Sequence, residues 1–272
     1  MRIALLTLDS PLSNAAVAAF LAAGPKGGTW EVALLGRSVL YRPGAGGPLS
    51  QAWRHLRRSG PGILPYLLVN YGLPEFLRQC GRQDALARLA ARHGLKLHPV
   101  PDVNAPAFRE ALRAARVELL VTFHFDQILA AETLEVVPCG GVNVHPSLLP
   151  RHRGPVPTIW AQAEAQGEVM PRFGVTLHRL APRIDAGAIL AQREVALPVR
   201  ITASAAARAL HVTGAKLLAD SLSALAAKTV AAEEVTPLPY CPFPPPTVLR
   251  AARRRGGLVN AADLRAALQV AA

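Results

Sequence analysis

Apolar residues follow two alternating patterns along the first half of the chain. Short continuous apolar runs predict buried strands, and between them apolar residues recur at the spacing of amphipathic helices. The predicted strands are 3–8, 30–36, 95–100, 117–123 and 141–145, and the predicted helices are 14–23, 84–94, 105–116 and 128–137. Strands that alternate with helices favour an α/β fold, in which helices cover a mostly parallel sheet.

Residues 43–80 interrupt this alternation. A glycine-rich joint at 43–48 precedes a predicted amphipathic helix at 49–58, and the apolar stretch 62–77 is broken by prolines. One interpretation is an excursion that binds a membrane surface or an acceptor substrate. A helical insertion packed on the edge of the domain is favoured over it.

The pattern changes again after residue 174. The predicted elements are strands at 174–180 and 188–197, a long helix at 202–228 with Thr202 as its N-cap, and a terminal helix at 261–270. From Ala231 to the terminal helix the chain is predicted to be a loop. The segment 237–246 holds six prolines and cannot be a central strand.

The composition narrows the classes of function. Lys and Arg exceed Asp and Glu by 30 to 18, for a formal net charge of +12. This charge is typical of proteins that bind RNA, but the arginines are spread along the chain and a composition bias is the favoured interpretation. There is no G-x-G-x-x-G after the first strand and no P-loop, so dinucleotide binding at that strand is not predicted.

The location is predicted to be the cytoplasm. Three widely spaced cysteines, without the spacing of metal ligands, fit a reducing compartment and predict no metal site. The first residues lack the features of a signal peptide, and no apolar run reaches the length of a membrane span.

The sequence GVNVHPSLLPRHRGPVP, residues 141–157, contains the main candidate chemistry. Asn143 and His145 lie two residues apart in a predicted strand, so they project from the same face at its carboxyl end. Ligands of open parallel sheets bind beyond this end. An amide and an imidazole there can stabilise an oxyanion, and the imidazole can move a proton. The alternative is a pair of core polar groups with internal hydrogen bonds.

A carboxylate in the turn RIDAG, residues 183–187, completes a candidate constellation. If this loop reaches the same crevice, Asp185 can orient His145 and hold its charge. The alternative is an ordinary aspartate in a turn before Gly187.

These residues resemble the 10-formyltetrahydrofolate-dependent formyltransferases. That family shows N-x-H-x-S-L-L-P-x-x-R-G-x-x-P followed by G-V-T and I/L-D-x-G, and each element occurs in order between residues 141 and 192. On either side of this stretch the similarity is fainter but continuous, from about residue 84 to about residue 200. The segment 43–80 matches no part of the family pattern, and the stretch between Trp160 and Gly174 is a few residues longer than in many members.

The resemblance implies a doubly wound Rossmann-like fold and a site for the folate donor. Residues 1–200 would form the catalytic domain, and residues 201–272 a helical and proline-rich extension packed on it. Asn143, His145 and Asp185 would be catalytic. The implied donor-binding residues are Asp126, Gln127, Ile128, Leu129, Ser147 and Ile184, with backbone groups of both loops holding the pterin. Asp126 departs from the small residue or glycine usual in the family.

Two further residues have open roles. Ser147 either contacts the donor or caps the turn, and capping is favoured. Arg153 either pairs with an anionic acceptor or the glutamate tail of the folate, or is a structural arginine at the surface.

The resemblance also implies the class of acceptor. A small primary amine, such as an amino sugar, an amino acid or a natural-product precursor, is favoured. Methionyl-tRNA is an alternative, since the charge is basic, but members that act on it carry a barrel domain that the last residues are too few to form. Hydrolysis of formyltetrahydrofolate is a second alternative, and folate binding without catalysis is a third. The loop 151–157 or the segment around Tyr240 is expected to close the acceptor pocket.

Overall fold

The computed structural model describes residues 1–24, 28–40, 46–81, 84–165 and 170–269. Seven strands of these residues form one sheet in the order β3-β2-β1-β4-β5-β6-β7. They are β1 (Arg2–Thr7), β2 (Glu31–Ser38), β3 (Leu97–Val100), β4 (Leu119–Phe123), β5 (Gly141–His145), β6 (Gly174–Arg179) and β7 (Ile189–Glu194). The first five strands pair in parallel, and β6 pairs antiparallel with both of its neighbours, β5 and β7.

The strand order places a switch point in the middle of the sheet. From β1 the chain winds outward to β3, returns to β4 beside β1, and then winds outward to β7. This is the predicted doubly wound fold, which is confirmed. Ligands of such sheets bind beyond the carboxyl ends of the strands at the switch point. Those ends belong here to β1, β4 and the neighbouring β5.

Helices cover both faces of the sheet. They are α1 (Asn14–Ala23), α2 (Pro48–Ser59), α3 (Leu64–Leu67), α4 (Leu73–Gln79), α5 (Ala85–Arg92), α6 (Pro106–Ala114), α7 (Ala131–Leu134), α8 (Pro157–Glu164), α9 (Ala203–Ala226), α10 (Pro246–Arg255) and α11 (Ala261–Gln269). None of the helices in the described part of the chain is long and apolar enough to cross a membrane.

The alternation of β1 divides the core into two layers. Ile3 and Leu5 pack with residues of α1 and α9 on one face, whereas Ala4 and Leu6 pack with residues of α6 on the other. Each buried Leu or Ile contributes about 1.5–3 kcal/mol. Thr202 caps α9 as predicted, since its hydroxyl accepts a hydrogen bond of 3.1 Å from the backbone of Ala205. Gly214 lets α9 lie directly against Val144, because a Cβ at this position would overlap that side chain.

The segment between β2 and β3 forms a helical insertion. Helix α2 is followed by a 3₁₀ turn (Pro61–Ile63), α3, a π turn (Leu68–Gly72) and α4. Ile63 and Tyr66 are buried against α8 and α10. A helical insertion, the favoured interpretation, is therefore what the structure contains. Of the predicted joint 43–48, residues 43–45 lie outside the described residues.

Two helices differ from the sequence predictions. The prediction of a loop is wrong at 246–255, where α10 begins at Pro246, and α8 was not predicted. Both helices have proline in their first turn, where a missing backbone N–H leaves no intrahelical hydrogen bond unmade. Leu249 and Ala252 anchor α10 in the core. Helix α7 covers only the centre of its predicted range.

Candidate active site

Three neighbouring strands place polar side chains in one row across the sheet. Asn143 of β5 is paired with Thr122 of β4 on one side and with His178 of β6 on the other. His145 lies two residues further along β5, opposite Thr176. The row therefore crosses the sheet at the carboxyl ends of β4 and β5, next to the switch point.

Hydrogen bonds fix the orientation of the Asn143 amide. The hydroxyl of Thr122 lies 2.7 Å from Oδ1 of Asn143, and Nδ2 of Asn143 lies 3.0 Å from Nε2 of His178. Since the amide nitrogen donates, Nε2 of His178 accepts and its Nδ1 carries the proton, which is donated to the carbonyl of Arg179 at 2.8 Å. Burial lowers the pKa of His178 to about 4, against an opposing effect of Asp185. A neutral His178 is what this hydrogen-bond chain requires.

Asp185 lies at the centre of the group. Its Oδ2 is 3.7 Å from Nδ1 of His145 and accepts a hydrogen bond of 2.9 Å from the backbone of Gly154. Its Oδ1 lies 3.5 Å from Nδ2 of Asn143. The residue has a left-handed backbone, with φ of 46°, which turns the carboxylate toward β5. The structure thus brings together the three predicted catalytic residues.

His145 is held from its other side by the loop that follows β5. Its Nε2 lies 3.1 Å from the carbonyl oxygen of His152, and its side chain is almost fully buried. A protonated ring would have an acceptor at each nitrogen, His152 at one and Asp185 at the other. The gap of 3.7 Å to Asp185 exceeds a hydrogen bond, as is common for catalytic pairs without substrate.

Arg153 is buried, with 2% of its surface exposed. Its guanidinium donates to the carbonyl oxygens of Ile184, Asp185 and Leu238. Arg153 therefore has a structural role, as one of the two interpretations predicted, but the prediction that it lies at the surface is wrong. It fastens the loop that carries Asp185 to the proline-rich segment near Tyr240.

Ser147 faces the turn. Its hydroxyl donates to the carbonyl of Arg151 at 2.8 Å, and it does not line the cavity next to His145. This placement corresponds to the capping role that the sequence favours. It separates Ser147 from the other candidate donor-binding residues.

A cavity of about 350 Å³ opens next to Asn143 and His145. Asp126, Gln127, Ile128, Leu129 and Ile184, five of the predicted donor-binding residues, line it. The side chain of Gln127 is occupied by the protein itself, since it donates to Ser38 and to the carbonyl of Val100. Asp126, which stands where the family usually has glycine or another small residue, accepts a hydrogen bond from the same serine.

Sequence reasoning missed a second group of polar side chains in this cavity. His124, directly after β4, lies 2.9 Å from the hydroxyl of Tyr71 in the insertion, and its ring lies 5.5 Å from the ring of His211 in α9. Burial lowers the pKa of His124 to about 4 and also lowers the pKa of His211 well below its usual value. Nδ1 of His211 is buried without a hydrogen-bond partner among the described residues. A histidine at a strand exit, as at position 145, was the signal available in the sequence.

The polar groups that surround the cavity are an amide, several imidazoles and a carboxylate, and part of the wall is apolar. Across the described ranges, no group of three or more His, Cys, Asp or Glu side chains is arranged to hold a metal ion. The arrangement suits stabilisation of an oxyanion and movement of a proton.

Comparison with known proteins gives a family and a fold. The family model described as formyl transferase matches residues 83–222. The structure is similar to glycinamide ribonucleotide transformylase 1 from Symbiobacterium toebii, with a TM-score of 0.58, 18% identity, and coverage of 87% of this chain and 94% of that one. A phosphoribosylglycinamide formyltransferase from Bacillus halodurans has a TM-score of 0.56 and 19% identity, with coverage of 84% and 96%.

A sugar N-formyltransferase from a Shewanella species is a further solved structure with the same architecture. Its TM-score is 0.54 and its identity 17%, with coverage of 100% of this chain and 87% of that one. At such identities the similarity shows the fold.

Proposed function

The chain belongs to the formyl transferase family, and on this premise we propose that it transfers a formyl group from 10-formyltetrahydrofolate to a primary amine of a small molecule. The observation that carries the proposal is the placement of Asn143, His145 and Asp185 around one cavity. Formylation of tRNA, donor hydrolysis and folate binding without catalysis become outcomes of the test below.

The size and lining of the cavity support binding of the formyl donor there. Its volume of about 350 Å³ lies within the usual range for small-molecule sites, and apolar and polar residues, including those of two loops, line it. The loops at 126–129 and around Ile184 would hold the pterin. When bound, the donor supplies an activated formyl carbon.

Asn143 and His145 stabilise the negative charge that develops on the formyl oxygen. The amide is preorganised, because Thr122 fixes its oxygen and leaves its nitrogen as the donor. A preorganised donor of this kind contributes about 10²- to 10³-fold in rate. His145, in its protonated form, adds a positive charge next to that oxygen, while its two N–H groups face His152 and Asp185.

Asp185 orients His145 and assists proton removal from the attacking amine. Its Oδ2 is fixed by the backbone of Gly154 at a distance of 3.7 Å from the imidazole. Proton transfer by a positioned group contributes about 10²- to 10⁴-fold. The neutral His178 keeps a second positive charge away from this carboxylate.

The test is a search for formylated products. The protein is incubated with 10-formyltetrahydrofolate and a metabolite extract, and mass spectrometry follows species in which a formyl group replaces one amine hydrogen. We expect a formylated small amine and release of tetrahydrofolate in equal amounts, both lost in His145→Ala. Formate released without a formylated product would favour hydrolysis, and donor binding without turnover would favour a non-catalytic role. Efficient formylation of charged initiator tRNA at physiological salt would favour a role in tRNA formylation.

A further inference from the structure

A second cavity of about 1020 Å³ lies next to the first. The helical insertion forms much of its wall, and the side chains it supplies are mostly apolar: Leu49, Ala52, Leu64, Leu67, Leu68 and Tyr71. We call this cavity the insertion groove.

Several large apolar side chains of the insertion groove face solvent. Leu49 is 87% exposed, Leu68 is 59% exposed and Leu64 is 37% exposed. Clustered exposed apolar residues in a concave surface are typical of sites that bind apolar ligands. A ligand that covers these side chains would gain the free energy of removing them from water.

The insertion groove is continuous with the active site. Both cavities share five lining residues, which are His124, Phe125, Asp126, Pro155 and Tyr240. A molecule with its reacting group near His145 can therefore extend past this junction into the insertion groove.

Charge orients such a molecule. The junction contains the carboxylate of Asp126, and His124 beside it is neutral at physiological pH because burial lowers its pKa to about 4. Arg58 lines the insertion groove itself, together with His55, whose pKa is lowered by burial and by neighbouring arginines. A protonated amine is thus favoured at the junction, and its apolar body in the insertion groove.

We infer that the acceptor is a primary amine carried on an extended apolar body, which binds in the insertion groove while its nitrogen reaches the active site. The inference rests on the proposed function. In the reaction the bound ammonium first loses one proton to solvent, and the neutral amine nitrogen then bonds to the formyl carbon. The bond from that carbon to N10 of the donor breaks, the amine nitrogen releases a second proton and N10 gains one.

The experiment uses a homologous series of n-alkylamines, from butylamine through hexyl- and octylamine to decylamine, at concentrations below micelle formation. The members have nearly the same basicity, so differences report contacts of the chain. Affinity is measured by calorimetry without donor, and formyl transfer is measured with 10-formyltetrahydrofolate. Each methylene that enters the insertion groove should raise affinity up to about fourfold, and decylamine should exceed butylamine by about 100-fold or more.

The variant Leu64→Gln/Leu68→Gln should lower the ratio of decylamine affinity to butylamine affinity by at least about tenfold. Phe76→Gln is the matched control, because Phe76 is an exposed apolar residue of the same insertion that does not line the groove. The gain should survive in the control.

The outcomes separate the two proposals. Affinity and turnover that do not change with chain length, or a gain that survives in the double variant, would overturn the inference while formylation of butylamine upholds the proposed function. Length-dependent binding with no formylation of any amine would overturn the proposed function, and with it the role of the bound amine as acceptor.

Discussion

The carboxylate of Asp185 lies 3.7 Å from the imidazole of His145, and the same oxygen atom accepts the backbone hydrogen bond of Gly154. One side chain therefore holds both the imidazole of His145 and the loop after β5. A substitution that removes its charge and keeps its shape separates these two roles.

We expect Asp185→Asn to keep the fold and lose turnover. The amide oxygen can still accept the hydrogen bond from Gly154, whereas the charge facing His145 is gone. Turnover should fall by about 10²- to 10⁴-fold, measured as kcat for formyl transfer, with donor affinity nearly unchanged. The control is Asp220→Asn, at an exposed carboxylate that does not line the cavity. A variant with near-normal kcat would exclude Asp185 from the mechanism.

His145→Ala should abolish turnover and leave donor binding intact. The imidazole acts on developing charge, whereas backbone groups would hold the pterin. The loss should be about 10²- to 10³-fold in kcat, with the donor dissociation constant measured separately by calorimetry. Loss of binding together with turnover would instead place His145 in the donor site.

Thr122 is predicted to position Asn143 without touching substrate. In Thr122→Val the hydrogen bond of 2.7 Å to the Asn143 amide is lost, and the amide can rotate. We expect kcat to fall by about two- to tenfold, which is the net worth of one such hydrogen bond, while KM for the amine stays the same. Thr122→Ser restores the hydroxyl and should restore kcat. Equal losses in both variants would point to packing as the cause.

Buried histidines should make stability depend on pH. The folded-state pKa of His124 and of His178 is about 4, below the unfolded value of about 6.5. Between these values the unfolded chain binds more protons than the folded protein. The free energy of unfolding is therefore highest above pH 6.5 and decreases as the pH falls toward 4. Each such histidine contributes a slope of up to about 1.4 kcal/mol per pH unit.

His211→Phe tests this account, because it removes one buried histidine whose pKa is lowered by burial. Denaturant unfolding across pH 4–7 should show a shallower slope in this variant. His93→Asn, at an exposed histidine, should keep the slope of the original protein. A slope unchanged by His211→Phe would show that other groups cause the pH dependence.

Two arginines of the same loop should differ in their effect on stability. Arg153→Met leaves buried carbonyls without their donor and should lower the free energy of unfolding by about 3 kcal/mol. Arg151→Met removes an exposed ion pair with Glu164 and should change it by less than about 1 kcal/mol. Thermal or denaturant unfolding measures both. Equal effects would contradict the structural role of Arg153.

Local patterns in the sequence were sufficient for the sheet and for part of the site. The continuous apolar runs of β1 and β4 indicate buried strands of a parallel sheet. The i, i+2 spacing of Asn143 and His145 places both side chains on the same face of β5. His178 was missed because its place beside Asn143 depends on the register of the antiparallel pair β5–β6. A single sequence contains no direct signal for that register.

Other features depended on contacts between distant segments. Arg153 is buried because two segments distant in sequence, the loop that carries Asp185 and the segment that contains Leu238, both contact its side chain. Helix α10 was hidden by the prolines before it, although Pro246 suits a first helical turn. Tyr71 reaches His124 only because the insertion folds back over the switch point.

The proline-rich segment after α9 contacts the loop that follows β5, although it is synthesised after the whole sheet. Cys241 donates to the carbonyl of Arg153, Trp160 donates to Pro242, and a side chain on Gly154 would overlap Cys241. The last strand, β7, ends at Glu194, so all seven strands are synthesised before Cys241 and Pro242. A nascent chain can thus assemble its sheet while its catalytic loop still lacks a wall, and the reactive site is completed only once translation has passed Pro242.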